Sequence, residues 1–252
     1  MTKIIAIHSY RGGTGKSNLT ANFAVAIAIQ GHRVAVVDTD LQSPGIHTLF
    51  SSYETLPVKT LNDYLWNRCS IQETAYDVSY ELGIEEKGKV FLIPSSVDGN
   101  EIARILSEGY KVSLLNNGLG RLIQELELDY LFIDTHPGLS RETLLSIAIS
   151  NLLILILRPD RQDFQGTAVT VDIARQLKVR NMLMIINKVP SKMDVSELQE
   201  KVEMTYDIPV SGILPVSEEM MQLGSSGVFC LRYPDHHFTQ ILNQVAVKVM
   251  SY

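Results

Sequence analysis

The sequence predicts an α/β fold, a mostly parallel twisted sheet with helices on both faces. Three observations predict it. Short, continuous Val/Ile/Leu runs recur along the chain, as expected of strands buried on both faces. Segments with helical periodicity separate most of them, the pattern of crossover connections. Polar and acidic residues close several of the apolar runs, and open α/β sheets carry their ligands beyond the carboxyl ends of the strands.

In order, Ile4-Ile5-Ala6-Ile7 is the first buried-strand run. Leu19 to Ile29 follows as an apolar helix ended by Gly31. Val34 to Val37 is the next strand, closing on Asp38, and Val90 to Ile93 is another, ended by Pro94. Leu131-Phe132-Ile133, Leu152 to Leu157, Leu183 to Ile186 and Val210 to Leu214 continue the series. Helices are expected at about Leu114 to Leu126, Arg141 to Ile149, Gly166 to Leu177 and Val195 to Met204. The stretch from Ser51 to Lys89 differs: it is polar, carries Trp66 and shows no clear strand, so it reads as helix and loop inserted between two sheet strands. No repeat, low-complexity tract or linker interrupts the pattern, so residues 1–252 are expected to form one domain.

The chain has 252 residues, 45% of them hydrophobic, enough to bury one large core. A net charge of −6 excludes nucleic-acid binding over the whole surface and leaves only a local patch for such contact. Cys69 and Cys230 are too few and too far apart for a disulfide framework or a CxxC metal site, and read as thiols of a reducing compartment. The longest apolar run, Leu152 to Leu157, is far short of the ~20 residues that cross a bilayer. Met1 to Ile7 runs straight into the first loop without a cleavable-signal pattern. The expectation is a soluble cytoplasmic protein. The final stretch carries apolar residues at 238, 241, 242, 245 and 249, with one Lys and no Trp. It is expected to pack on the core rather than to lie on a membrane.

Four strand ends carry the chemistry. The first strand leads into Arg11-Gly12-Gly13-Thr14-Gly15-Lys16-Ser17. The glycines let backbone N–H groups approach a phosphate, and the following helix adds the positive end of its dipole. Lys16 would reach the terminal phosphates of ATP, and the Ser17 hydroxyl would ligate Mg²⁺. The general phosphate-loop pattern asks for Gly at position 10, where this chain has Tyr10. The second strand ends at Asp38-Thr39-Asp40. Asp38 is placed to hold a Mg²⁺-bound water and Asp40 to orient or deprotonate the attacking water; the alternative is a turn that uses Asp for its own backbone. The fourth strand ends at Asp134, a metal-holding position, followed by Thr135-His136-Pro137-Gly138. His136 reads either as a contact to phosphate or a partner, or as a structural loop histidine. The sixth strand ends at Asn187-Lys188, where the Asn either bonds a base edge or closes the strand into a turn.

Together these residues resemble the deviant-Walker-A ATPases of the MinD/ParA family. The similarity runs nearly the whole length and rests on Gly12 to Ser17, Asp38-Thr39-Asp40-Leu41-Gln42, Asp134 to Gly138 and Asn187-Lys188. The resemblance implies a P-loop NTPase fold, ATP and Mg²⁺ as cofactors, and a homodimer formed on ATP with nucleotides at its interface. It also implies slow hydrolysis stimulated by a partner protein, in the service of positioning division machinery, DNA, plasmids or other cargo. Nucleotide contacts would fall on Gly12, Gly13, Thr14, Gly15, Lys16, Ser17 and Asn18, with Asn187 and the backbone near Pro215 as the adenine site. Ser17, Asp38 and Asp134 would serve the metal, and Asp40, Lys16 and Arg11 catalysis. Two positions depart from the family. Arg11 stands where the signature lysine crosses to the partner's phosphates, and Arg is not a neutral swap for Lys. His136 replaces the first Pro of the usual Thr-Pro-Pro-Gly.

Arg158, Arg161, Arg175, Lys178 and Arg180 cluster in sequence, as a candidate patch for non-specific DNA or as a solvated helix face. The main expectation is a Mg²⁺-dependent ATPase. The alternatives are a nucleotide-gated binding module with negligible turnover and an ATP-dependent small-molecule ligase of the same fold.

Overall fold

The computed structural model describes residues 2–50 and 59–252. Ser51 to Val58, the start of the stretch read as helix and loop, lie outside the described residues. The strands are β1 (Lys3–His8), β2 (Arg33–Asp38), β3 (Tyr76–Asp77), β4 (Lys89–Ile93), β5 (Tyr130–Asp134), β6 (Leu152–Leu157), β7 (Met182–Val189) and β8 (Val210–Pro215). They form one sheet in the order β3-β4-β2-β5-β1-β6-β7-β8. Every pairing is parallel except that of β3 with β4. The chain adds strands to one side of β1 and then to the other, so the order reverses around β1, where α/β sheets open a ligand crevice.

The helices are α1 (Lys16–Ala28), α2 (Leu61–Leu65), α3 (Gly99–Glu108), α4 (Val112–Glu125), α5 (Arg141–Ile149), α6 (Arg161–Gln176), α7 (Val195–Tyr206), α8 (Glu218–Leu223), α9 (Phe229–Arg232) and α10 (His237–Ser251). Alternation along the strands explains why helices cover both faces. In β2, Val34 and Val36 join the core that includes Phe23 of α1 and Val245 of α10, whereas Ala35 and Val37 join the core that includes Leu115 and Leu119 of α4. In β6, Leu153, Leu155 and Leu157 instead meet Val171 of α6 and Val202 of α7. Burying each such aliphatic side chain is worth ~1.5–3 kcal/mol, so slipping a strand by one residue would exchange two buried faces at once.

The last helix packs as its spacing predicts: Phe238, Leu242, Val245 and Val249 of α10 are buried against the core. Among the described residues no helix is long and apolar enough to cross a membrane. Several elements differ from the sequence reading, among them the short helices α8 and α9, which it did not anticipate. The 51–89 stretch does contain a strand, β3, whose two residues pair antiparallel with β4 through Tyr76–Leu92 and Asp77–Phe91. Helix α3 was not anticipated; its start is capped by Asp98, which accepts from the Asn100 and Glu101 N–H groups. Helix α6 begins at Arg161 rather than Gly166, because Asp160 caps it by accepting from the Gln162 and Asp163 N–H groups.

Candidate functional site

The polar strand ends converge beside β1. Between β1 and α1 the backbone takes left-handed φ at Gly13 (75°) and Gly15 (93°), a conformation that favours glycine. Gly15 has a second reason: a Cβ there would lie 2.5 Å from Asn187 Nδ2. Among the described residues no side chain caps α1, and its first turn holds no acid, so its leading N–H groups and dipole are left for an anion.

Asp134, at the end of β5, gathers this loop. Its Oδ1 accepts from Lys16 Nζ at 2.9 Å and its Oδ2 from Ser17 Oγ at 2.6 Å. Thr20 Oγ1 lies 3.2 Å from Asp134 Oδ1 and 3.0 Å from the Lys16 carbonyl, so its one hydrogen serves both. Asp38 stands opposite Asp134 in the β2–β5 register. Its Oδ1 accepts from Asp40 N at 3.0 Å and its Oδ2 from Gly45 N at 3.3 Å. Burial, with the Asp134 charge beside it, pushes the Asp38 carboxyl up to about 8, against the opposing pull of the Asp40 N–H and of Lys16. His8, at the end of β1, is fully buried with Nδ1 2.8 Å from Thr135 Oγ1. Burial first, then the Lys16 and His136 charges, push it down to about 3, so it is neutral near pH 7.

Asp40 is nearly buried, and its Oδ1 meets His136 Nδ1 at 2.6 Å and Ser43 N at 3.0 Å. On the opposite side of the loop, Asn187 Nδ2 donates to the Thr14 carbonyl at 2.7 Å and Lys188 Nζ to the Gly13 carbonyl at 2.8 Å. A bulge makes this reach possible: the β7–β8 ladder shifts between Ile186 and Val189, and Lys188 takes a φ of 59°. Asn187 keeps one amide hydrogen and one lone pair for a further partner. It lines a cleft of about 300 Å³ with Gly15, Asn18, Pro215, Ser217 and Met220. Asn18 Oδ1 and Thr14 Oγ1 are buried without a hydrogen bond among the described residues, as expected of groups that serve a ligand.

Arg11 is turned to its own chain. Its Nη1 lies 3.3 Å from Asp160 Oδ1 and its Nε 3.7 Å from the buried Asp163. Arg158 holds the same two acids from the other side, at 2.7 Å and 3.6 Å. Tyr10 packs where a Cβ on Gly166 would stand, 1.9 Å from its Cδ1. The two residues that depart from the usual loop pattern thus seat the loop on the start of α6. Thr20 and the Asp160/Asp163 pair were not anticipated. Asp three residues before Asp, after an apolar strand, was a readable capping signal. The basic cluster does not form one patch. Arg158 is engaged with Asp160, Arg175 donates to the Tyr206 carbonyl at 2.6 Å, and Arg161 and Lys178 sit at opposite ends of the 16-residue α6. That helix separates them by roughly 24 Å.

The geometry has clear relatives. The chain is 29% identical over 253 residues to an uncharacterized ATP-binding protein of Methanocaldococcus jannaschii, covering all of this chain and 89% of the relative. The cell division ATPase MinD of Pyrococcus furiosus superposes with a TM-score of 0.81 at 21% identity, over 100% of this chain and 99% of that one. The septum site-determining protein MinD of Pyrococcus horikoshii, complexed with Mg-ADP, superposes with a TM-score of 0.79 at 22% identity, over 99% and 96%. The family model of the CobQ/CobB/MinD/ParA nucleotide-binding domain matches residues 5–228. With that match across the phosphate loop and every strand of the sheet, the chain is a member of the CobQ/CobB/MinD/ParA nucleotide-binding family.

Proposed function

We propose that this chain is a Mg²⁺-dependent ATPase that dimerises on ATP and uses the cycle to position a cellular cargo. The observation that carries the reading is Asp134, which gathers Lys16 and Ser17 while standing in register with Asp38. Among the described residues no three His, Cys, Asp or Glu surround a common metal position. Mg²⁺ asks for less: one or two carboxylates, a hydroxyl and the substrate's own phosphates. Ser17 Oγ and the Asp134 carboxylate are such hard oxygen donors, and Asp38 becomes one once it gives up the proton that burial and Asp134 favour; together they fit it. Bound there, Mg²⁺ would neutralise charge on the transferring phosphoryl group.

The protein's own groups do the rest. The loop N–H groups and the start of α1 hold the phosphates. Lys16 would exchange Asp134 for the terminal phosphates, a charge-assisted contact of similar kind. Asp40 would hold the attacking water. Asn187, Asn18 and the backbone near Pro215 would take the base. Arg11 would leave Asp160 and Asp163 for the partner's triphosphate, where a guanidinium fork matches phosphate oxygens. The septum-positioning relative from Pyrococcus horikoshii supports cargo positioning as the use of the cycle.

The test is Lys16→Ala, titrated with Mg-ATP by calorimetry beside the parent and assayed for phosphate release. Loss of binding and of release is the expected outcome. Unchanged ATP affinity would refute the assignment of the whole loop. Parent protein that binds ATP but releases no phosphate under single-turnover conditions would favour a nucleotide-gated module, and turnover that needs a carboxylate or amine co-substrate would favour a ligase.

A further inference from the structure

We infer that His136 is a positioning residue for Asp40, fixing the carboxylate that holds the attacking water. The inference rests on the reading of Asp40 given above. The contact is short and specific: His136 Nδ1 lies 2.6 Å from Asp40 Oδ1, across 96 residues of sequence. A carboxylate can only accept, so Nδ1 carries the hydrogen and donates. Ser43 N donates to the same oxygen at 3.0 Å. Oδ1 is thereby held from two sides, while Oδ2 makes no hydrogen bond among the described residues. One oxygen is clamped and the other is left for a ligand.

The histidine is itself held against the phosphate loop. Thr143 Oγ1 donates to the His136 carbonyl at 3.1 Å. On either side of it, Thr135 N donates to the Ile7 carbonyl at 3.3 Å and Gly138 N to the Ser9 carbonyl at 3.2 Å. Pro137 Cγ stands 3.9 Å from the position a Cβ would take on Gly12. The 135–138 turn and the loop that receives the triphosphate are therefore one framework, and His136 links Asp40 to it. Asp40 lies beyond the end of β2, in the turn that leads to Gly45, and has no strand partner of its own. A proline at position 136 would have no side-chain hydrogen to give. In this chain the second acid of Asp38-Thr39-Asp40 is set by a side chain that the usual motif lacks.

Orientation of a catalytic group matters steeply: misplacement by about 1 Å can cost ~100-fold in rate. The test compares the parent with His136→Ala, His136→Asn, Asp40→Ala and the double variant, by single-turnover phosphate release, ATP affinity and thermal unfolding. His136→Ala is expected to lower the hydrolysis rate constant roughly ten-fold or more, with ATP affinity and unfolding temperature near those of the parent. His136→Asn, whose Nδ2–H can take the place of Nδ1–H, is expected to recover most of the rate. In the Asp40→Ala background His136→Ala is expected to change nothing further, since the two act as a unit. Parent-like hydrolysis in His136→Ala overturns the inference, as does an Asn variant no better than Ala, or a rate loss matched by equal losses of affinity and stability. Asp40→Ala separates the two levels. If it abolishes hydrolysis while His136→Ala does not slow it, only the role of His136 falls. If Asp40→Ala hydrolyses as the parent does, or the parent does not hydrolyse ATP, the underlying reading falls and takes this one with it.

Discussion

Replacing His8 with Asn isolates one titration beneath the phosphate loop. In the folded chain the imidazole is fully buried and its pKa is pushed from 6.5 down to about 3, by burial and by the Lys16 and His136 charges. Once unfolded it regains its ordinary value. Between those two values the unfolded chain binds a proton that the folded chain refuses, so stability falls as pH falls below 6.5. The slope for one proton is ~1.4 kcal/mol per pH unit. From pH 7.5 to pH 5.5 the histidine alone therefore costs the parent about 1.4 kcal/mol, or roughly 3–6 °C in Tm for a chain of this size. Asp38 acts in the opposite sense. Its carboxyl, pushed up to about 8, keeps a proton in the folded state, and the stability this gives fades as pH rises through that value. The parent's own profile thus mixes the two, and the difference between parent and His8→Asn separates them. Thermal unfolding of nucleotide-free protein at the two pH values should show the parent losing about 1.4 kcal/mol more than the variant. Parallel pH profiles would refute the neutral, buried state of His8 and the electrostatic picture of the loop built on it.

Other perturbations read different parts of the site. Arg11→Ala should leave ATP binding by the monomer within a few-fold of the parent and abolish dimerisation on ATP, seen by light scattering; a variant that dimerises normally would show that Arg11 bridges nothing. The same variant should lose on the order of 1 kcal/mol of stability, because the pair with Asp160 is about one-third exposed and the buried Asp163 keeps both the guanidinium and the N–H of Arg158. Gly166→Ala should displace the Tyr10 ring from α6 and weaken ATP binding, because a Cβ there would stand in the space the ring fills. Tyr10→Ala should weaken binding likewise, and Gly166→Ala should add little in that background, as read by calorimetric titration; parent-like affinity in Tyr10→Ala would remove Tyr10 as the seat of the loop.

Much of the sheet was readable because seven of its strands are buried on both faces, which forces continuous apolar runs such as Leu152 to Leu157. The eighth, β3, is only two residues long, and Tyr76-Asp77 carries no apolar pattern to announce it. At the site, residues that close strands or open α1 could be picked out one by one, because position along an element is local information. Contacts between elements could not. That His136 reaches Asp40, and that Arg11 turns to Asp160 and Asp163, depends on how the turns after β1, β2, β5 and β6 stack at one edge of the sheet. The basic residues from Arg158 to Arg180 show the converse: close in sequence, they fall at the two ends of α6.

The most direct test of the central proposal uses Asp40→Ala, which should bind ATP but not cleave it, and so hold the ATP state long enough to weigh. With Mg-ATP, light scattering is expected to give twice the mass of one chain, and a phosphate-release assay on the same sample is expected to stay at background. With Mg-ADP the mass should be that of one chain. A variant that remains a single chain with ATP bound, or that releases phosphate at the parent's rate, would contradict an ATP-driven dimer in which Asp40 serves hydrolysis.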